Sequence, residues 1–599
     1  MAQAGALLNP IRLPEGHRLA LTWLVVLALL LLPCGAAHAL DIIFSEGSSV
    51  GPVRESGGAP SPPDGPADPT ARPEQQTSVP RLSISYNPWF TNTSVGGDGT
   101  RSFQPQGFFN RQDLTFDLDH SGPNGMYLTG QFFTRYTDDP QVNAGGQKVT
   151  FPGFFVEYGE RDAFDIRVGN LPIQFSPYTF SRQGDGVQGR VIFPDKLGAW
   201  SFRGVLARLN NSQNGVQFRR FGYGLRFERE LRMPDEHPID NALFGLNAAW
   251  SSDDVGSMSD RFGVPEVNSS IYSFDAQMAF RVGLFLDGEY ASSSVRTAGS
   301  GVTPGRQDGN ATRFSVRHTD GPWNVGGAVE KFSPSFQSVT GSGTADLFRT
   351  DLFGGYSFGK IARLDLGIQS FHNNLDGQLL QTFKSRFKRV GLTLRPLADS
   401  SVKALQPLFF NIGFSTFDAF DSALTNRTTD QWSLAAGYSF GRAAVTYSFQ
   451  DQSAVDRVNA TLNRGNTTHS VQLSYRVPFN KDGSFAMVPS IGATFANSRD
   501  TFAGLNSTTD NVVYGLSTEL GGEWRLGFAQ TVNEGSRPQS VGGLRTTLQV
   551  SRRAELAYRA RTNSDMQLGI EWNDRNYGDS LPGFSYRNAQ LNAFMTSRF

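Results

Sequence analysis

The chain has 599 residues and is almost neutral, with 54 Lys+Arg against 55 Asp+Glu. This balance provides no basic surface for nucleic acid, so we expect no nucleic-acid partner. Glycine (65 residues) and phenylalanine (48) are abundant, and 18 % of the residues are charged, against about 7 % Gly and about 25 % charged residues in an average soluble protein. Beyond the N-terminus no stretch of about 20 apolar residues occurs, which excludes a helical membrane protein. A β-rich chain remains.

The N-terminal segment has the pattern of a secretory signal peptide. Arg12 and Arg18 precede the apolar run from Leu19 to Leu32, and Ala37-His38-Ala39 provides small residues at a cleavage site. We expect residues 1–39 to be removed on export. Cys34 is the chain's one cysteine, so the mature protein is predicted to have no disulfides, thiolate metal sites or covalently attached haem.

Residues 40–80 are predicted to be a disordered periplasmic segment. Eight prolines fall between Pro52 and Pro80, with almost no aromatic or β-branched residues. Such a composition buries too little apolar surface to fold. Spacing is the simpler role for this segment, and contact with a periplasmic partner is the alternative.

From Arg81 onward the chain alternates between apolar and polar residues. Trp432, Leu434 and Ala436 share one face of a predicted strand, and Gln431 and Ser433 share the other. A turn at Gly441-Arg442 follows, after which the alternation resumes. This period of two predicts antiparallel hairpins.

The connections also alternate in length along the chain. Short turns are predicted at 120–124, 319–321 and 480–483, and long polar loops at 294–311, 333–345, 451–466 and 498–510. Bacterial transmembrane barrels have short turns at one end and longer loops at the other. A large secreted β-sandwich or propeller, the alternative for an alternating chain, does not require this arrangement.

The strand number follows from arithmetic. Two strands of about 11 residues, a turn of about 3 and a loop of about 14 need about 39 residues, which gives about 13 hairpins in residues 81–599. A direct count finds about 27 alternating runs. Because both ends of the barrel are expected on the periplasmic side, the number must be even, and we interpret Val512 to Gln530 as one long strand. We predict an all-β, antiparallel up-and-down barrel of about 26 strands, within a range of about 22 to 26.

The final strand carries the most specific resemblance. Ala589, Leu591, Ala593 and Met595 lie on one face, Ser597 departs from that pattern, and the sequence ends on Phe599. Residues 81–599 thus resemble the outer-membrane β-barrel proteins of Gram-negative bacteria. The resemblance implies that Phe599 is an assembly signal, and that the partners are the assembly machinery, outer-membrane lipid and lipopolysaccharide.

Ionised residues in the predicted strands are expected to face the barrel lumen, because the apolar face must meet lipid. Near the C-terminus four arginines (Arg545, Arg553, Arg559, Arg561) form either a strip that attracts anions or cross-strand pairs with acids, and the near-equal charges favour pairs. The predicted lumen-lining residues are Arg135, Glu157, Arg167, Arg226, Glu289, Arg349, Asp365, Arg545, Glu555, Arg559 and Arg561.

Two motifs of catalytic or cofactor type lack their usual context. Gly-x-Ser-x-Gly occurs at 355–359 and 437–441, but each copy leads into another strand, whereas a nucleophile elbow needs a strand-to-helix turn. Gly-x-Gly-x-x-Gly at 184–189 precedes a strand and does not open a helix. We therefore expect neither an enzyme nor a cofactor.

The aromatic segment 170–189 has two interpretations. It contains Phe175, Tyr178, Phe180 and Arg182. An extracellular loop is the favoured interpretation, because such loops vary freely. A constriction folded into the lumen is the alternative.

Taken together, these features favour an outer-membrane channel for the passive passage of polar solutes. The main alternative is a wide barrel that sheathes or secretes a partner, such as an electron-conduit cytochrome or an exported polymer. An outer-membrane enzyme is a further, weaker alternative.

The predicted assembly signal can be tested by deleting Phe599. If the terminal aromatic is read during insertion, the deletion lowers the amount of folded protein in the outer membrane and leaves signal cleavage unchanged. The ratio of heat-modifiable to denatured protein on gels measures this. Unchanged folded levels would show that Phe599 is incidental.

Overall fold

The computed structural model describes residues 80–97, 106–122, 125–140, 148–213, 216–257, 265–299, 304–422, 425–481, 484–501, 503–521, 523–538, 544–561, 565–581 and 584–598. The predicted signal peptide, segment 40–80 up to residue 79, and Phe599 lie outside these residues. Within them, no helix is long and apolar enough to cross a membrane. The helical elements of the described part are three short 3-10 turns: Val255–Ser257, Lys403–Leu405 and Ala460–Leu462.

The described residues form 26 strands that are joined in chain order. The strands are β1 (Arg81–Gly97), β2 (Gly107–Ser121), β3 (Met126–Thr137), β4 (Val149–Glu160), β5 (Phe164–Gln174), β6 (Ser181–Asp195), β7 (Gly198–Gln213), β8 (Val216–Arg232), β9 (Ile239–Asp253), β10 (Glu266–Phe280), β11 (Leu284–Ala298), β12 (Gly305–Asp320), β13 (Trp323–Phe332), β14 (Leu347–Phe358), β15 (Ala362–Asn373), β16 (Phe383–Leu394), β17 (Phe409–Asp421), β18 (Thr425–Phe440), β19 (Ala443–Asp456), β20 (Arg464–Tyr475, continued by Val477–Pro478), β21 (Phe485–Asp500), β22 (Leu505–Leu520), β23 (Trp524–Pro538), β24 (Leu544–Arg561), β25 (Asp565–Asp579) and β26 (Tyr586–Arg598).

The sheet closes on itself through its first and last strands. β1 pairs antiparallel with β26, from Ser85 opposite Arg598 to Gly97 opposite Tyr586. Side chains reinforce this seam: the rings of Trp89 and Phe594 stack with centroids 5.2 Å apart. Closure gives the first and last strands the hydrogen-bonding partners that an open edge would lack. The predicted all-β antiparallel barrel is confirmed.

The predicted strand number is also confirmed, although the prediction of one long strand from Val512 to Gln530 was wrong. Val512 to Gln530 is not one strand: β22 ends at Leu520, the chain turns at Gly521 (φ +64°), and β23 begins at Trp524. The number is 26 because Val477–Pro478 and Arg464–Tyr475 both pair with β21 and occupy a single position in the wall.

The two faces of the wall differ as the alternation predicted. On β8, Leu225 and Phe227 are each 42 % exposed, whereas Arg226 between them is buried. On β15, Leu366 and Ile368 are nearly half exposed and share a face, with Asp365 on the other. Large apolar side chains left exposed around a closed barrel form the surface that meets lipid. The opposite, polar face lines the lumen.

The connections at the two ends differ, but the long loops are shorter than expected. We name the end where β1 begins and β26 ends the terminal rim, and the other end the loop rim. The stretches 294–311, 451–466 and 498–510 are wrong as long loops, because strands extend into each of them. Strands reach 18 residues in β24, more than the about 9–11 that cross a bilayer, so polar strand ends project beyond the apolar band.

Both Gly-x-Ser-x-Gly sequences end a strand at the terminal rim. The final glycines, Gly359 and Gly441, have φ values of +58° and +54°, which a side chain at these turns would oppose. Tyr438 and Phe440 share the outward face, where aromatic residues mark the membrane interface. These motifs therefore form hairpin ends in this barrel.

The assignment of the two faces can be tested at adjacent positions of β20. Val471 faces outward within the apolar band, and Gln472 faces the lumen. Val471→Arg is expected to lower the free energy of unfolding in bilayers by about 2–4 kcal/mol, the usual effect of Arg at the midplane. The matched Gln472→Arg is expected to change it little. Denaturant titration of reconstituted protein measures both, and equal losses would show that the faces are misassigned.

Candidate functional site

A hairpin formed by the distal parts of β5 and β6 leaves the barrel wall. The two strands pair with each other from Phe164 opposite Val191 to Gln174 opposite Ser181. Pairing between β4 and β5 stops at Gly169, and pairing between β6 and β7 stops at Asp185. Residues 170–184, here called the inner hairpin, therefore have no wall strand on either side.

Two glycines lie opposite each other where the inner hairpin departs. A Cβ at Gly169 would be 2.1 Å from the carbonyl oxygen of Phe154, and one at Gly186 would be 2.0 Å from that of Leu206. Gly169 also has a φ of +108°, a value that side chains oppose. The bare backbone at both positions allows close contact with β4 on one side and β7 on the other.

The inner hairpin packs its apolar side chains on the lumen face of the wall. Leu171, Ile173, Phe175 and Phe180 form a buried cluster with Val205, Ala207, Leu209 and Ala249. Two glycines of β8 make space for the rings: a Cβ at Gly224 would be 2.5 Å from Phe175, and one at Gly222 would be 2.9 Å from Phe180. Burial of each phenylalanine stabilises the folded protein by about 1.5–3 kcal/mol. The packing of these rings on β8 therefore holds the inner hairpin against the wall.

Buried polar contacts fix the tip of the inner hairpin. Ser176 donates to Glu289 (2.6 Å), and the hydroxyls of Thr179 and Ser273 are 2.6 Å apart. Arg226 donates to the carbonyl oxygen of Phe175 (2.7 Å) and to both carboxylate oxygens of Asp275 (2.8 and 3.0 Å). Because the buried guanidinium is both paired and hydrogen-bonded, the cost of its desolvation is offset.

A second segment, the connection 333–346 between β13 and β14, packs against the inner hairpin. The backbone N–H of Ser181 donates to Thr340 (3.0 Å), and that of Ser342 donates to Pro177 (2.8 Å). Tyr178 packs on Phe332 and Phe336, with ring centroids 5.1 and 6.2 Å away. Its hydroxyl donates to Glu330, and burial together with this bond raises the pKa of Tyr178, so the hydroxyl stays protonated.

The inner wall farther around the barrel has a different character. A groove of about 300 Å³ follows β15 to β20 and is lined by Asp365, Gly391, Asn411, Gly413, Ser433 and Gln450, among others. Its lumen-facing side chains are small or polar, and the side chain of Asp365 is 47 % exposed. This part of the lumen surface is polar and accessible to solvent.

A closed wall, an apolar exterior and a polar interior are thus present together. The described residues form a transmembrane β-barrel. This assignment rests on the geometry of the wall, because only such a barrel satisfies every backbone group while presenting apolar side chains to lipid.

Comparison with known proteins gives likenesses of fold only. No family model and no curated protein matches the chain. It is similar to the translocation pore of the P pilus usher PapC, at 11 % identity over 86 % of this chain and 99 % of that one, with a TM-score of 0.28. Acinetobacter baumannii OccAB2 matches at 9 % identity over 57 % and 93 %, with a TM-score of 0.30. The ferric enterobactin receptor PfeA, in complex with BCV-L6, matches at 9 % identity over 88 % and 82 %, with a TM-score of 0.39.

The predicted lumen residues with described side chains are distributed around the barrel, and three of them touch the inner hairpin: Arg226, Glu289, and Arg167, which donates to the carbonyl oxygen of Asn170 (3.2 Å). Most of the others lie beside a charge of opposite sign. The pairs are Arg135–Asp113 (2.7 Å), Arg167–Glu157 (3.3 Å), Arg349–Asp351 (3.8 Å), Arg363–Asp365 (3.0 Å), Arg553–Glu555 (3.3 Å) and Arg545–Asp579. The backbone N–H of Arg559 donates to the backbone carbonyl oxygen of Glu523 (2.6 Å). The side chain of Arg561, and all of Phe599, lie outside the described part of the chain.

The expectation of an extracellular loop at 170–189 is wrong, and the alternative of an inward fold describes the structure. Most of this range is strand, and only residues 175–180 connect β5 to β6. Ser176, Thr179 and Asp275 belong to the site, and they were not among the predicted residues because no local sequence pattern marks them. The sequence did contain one signal for an aromatic segment packed inward. Gly222 and Gly224 alternate within β8, a strand otherwise rich in large residues, and leave space on one face of it.

The docking of the inner hairpin can be tested with a Ser176→Cys/Ser273→Cys pair in a Cys34→Ser background. The two hydroxyl oxygens are 3.2 Å apart, which is compatible with the Cβ separation of about 3.5–4.5 Å in a disulfide. We expect near-complete oxidation, measured by counting alkylated thiols by mass. The single variants are the controls, and free thiols in the double variant under oxidising conditions would contradict the docked position.

Proposed function

We propose that this protein is an outer-membrane channel through which polar solutes diffuse passively. A barrel of 26 strands is too wide for side chains to fill, since about 16–18 strands already enclose an aqueous channel. The observation that carries the proposal is the asymmetry of the lumen: the inner hairpin covers the wall from β7 to β13, and the polar groove along β15 to β20 stays exposed.

In this proposal the inner hairpin and the connection 333–346 narrow the path from one side. Solutes pass between them and the polar wall. The charges near this path occur largely as pairs, such as Arg226 with Asp275 and Arg363 with Asp365. Paired charges produce a weak field beyond about 8 Å at physiological salt, so we expect selection by size more than by charge.

The inner hairpin argues against a barrel that sheathes a large partner. To admit a cytochrome or a polymer across the whole lumen, the hairpin would have to leave two buried apolar clusters and expose the Arg226–Asp275 pair. Moving the apolar side chains of the two clusters into water costs several kcal/mol. A fixed constriction with flow beside it requires no such rearrangement.

Single-channel recording in planar bilayers tests this function. Replacing residues 172–182 by a short Gly-Asn-Gly turn removes the constriction, so conductance is expected to rise several-fold. The matched control shortens the exposed connection at 375–380 between β15 and β16, and is expected to leave conductance within about twofold, because lumen width sets the current.

Two results would contradict the proposal in different ways. Silence of both the native and the shortened barrel, when each shows a heat-modifiable folded band, would contradict an open channel. Equal conductance of the native and the shortened barrel would leave the channel standing and show that the inner hairpin does not limit flow.

A further inference from the structure

Four cationic side chains lie on the outward face of the barrel near the loop rim: three follow one another along β16, and the fourth is three strands away, with Phe348 and His372 between it and Lys384 in the register. Lys384, Arg386 and Lys388 occupy alternate positions of β16, and all three are exposed. In the register of the sheet, Lys388 is opposite Ile368, whose side chain is 49 % exposed on the lipid-facing surface. Lys331 of β13 is exposed on the same face. We call these four residues the outer cationic patch.

The outer cationic patch lies beside the apolar band on the side of the loop rim. Outward positions of β16 continue from Lys388 to Val390, Leu392 and Leu394 toward the terminal rim. The loop rim carries most of the long connections of the barrel, such as 138–148, 254–265 and 333–346, although the connection 395–408 at the terminal rim has a similar length. Since longer loops are extracellular in such barrels, the patch is level with the headgroups of the outer leaflet.

The charges of this patch are poorly compensated. The outward positions of strands β13 to β16, all within the described residues, carry no Asp or Glu. The nearest acid is Asp418 on β17, 3.9 Å from the amine of Lys388 and opposite Arg386 in register. Asp418 also accepts from Thr428 (3.0 Å). The patch therefore has an excess of about three positive charges at neutral pH.

Lysine is rare in this chain, so its clustering in the outer cationic patch is unusual. Lysine occurs eight times in the sequence, and three of these residues are in the patch. Elsewhere on the barrel many arginines are paired with neighbouring acids, as at Arg363–Asp365 and Arg545–Asp579. Between the cations, the hydroxyls of Thr350 and Ser370, 2.6 Å apart, add polar groups to the same face.

We propose that the outer cationic patch binds the phosphate groups of a phosphorylated outer-leaflet lipid. Lysine and arginine are the residues that bind phosphate, and their position beside the apolar band allows one molecule to place its phosphates on the patch and its acyl chains on Leu352, Leu366 and Ile368. These three apolar side chains are each 47–57 % exposed. Free phosphate would gain nothing from that apolar surface, which favours the lipid.

The test uses purified barrel in detergent and bisphosphorylated lipid A as the probe, with bound lipid counted by native mass spectrometry. The variant K331Q/K384Q/R386Q/K388Q is expected to bind lipid A at least about tenfold more weakly, because each cation near a charged lipid surface contributes appreciably to affinity. The control K196Q/K360Q/K403Q/R232Q removes the same charges from exposed positions at the terminal rim and is expected to retain native binding. Equal loss in both variants, or in neither, would overturn the proposal.

Two further arms use the native protein, so the test does not depend on the folding of the variant. Dephosphorylated lipid A is expected to bind about as weakly as the patch variant binds the bisphosphorylated form. Inorganic phosphate at equal concentration is expected not to displace lipid A. Binding that is indifferent to the lipid's phosphates, or full displacement by inorganic phosphate, would overturn the assignment to a phosphorylated lipid.

Discussion

Every backbone N–H and C=O that faces lipid needs a partner within the protein, and the whole architecture follows from that constraint. Closure between β1 and β26 satisfies it for the first and last strands. With 26 strands the circumference is too large for side chains to fill the interior. Satisfying the backbone in lipid therefore creates a second problem, a lumen whose width must be set by something other than the wall.

The inner hairpin solves that problem by using the barrel's own strands. β5 and β6 keep their mutual pairing and give up their outer neighbours beyond Gly169 and Asp185. Backbone groups at the tip find new partners, as when Arg226 donates to Phe175 and Ser181 donates to Thr340. No lipid reaches these groups, because they face the lumen, so the constraint that governs the wall is relaxed there.

The fold could be read from the sequence, and most of the candidate site could not, because the two depend on different ranges of interaction. Alternation is a local property of each strand, so it predicts faces, class and strand number. The position of the inner hairpin depends on Phe175 meeting Gly224 and on Ser176 meeting Glu289. These contacts join residues about 50 to 110 positions apart, and no local pattern encodes them. The predicted loop lengths were wrong for a related reason. A strand continues with polar residues once it has left the lipid, so a polar stretch does not mark the end of the strand.

The chemistry of the docked tip indicates a fixed constriction and not a gate. A gate needs two arrangements that differ by a few kcal/mol, whereas lifting the tip would expose two apolar clusters and break the hydrogen bonds from Arg226 to Phe175 and from Ser176 to Glu289. Burial of each large apolar side chain in these clusters contributes about 1.5–3 kcal/mol. Tyr178 further stabilises the docked tip, because lifting the tip would break the hydrogen bond from its buried hydroxyl to Glu330. This energetic cost keeps the hairpin in place, so in the proposed channel solutes pass beside it and the permeability of the barrel is a property of its folded geometry.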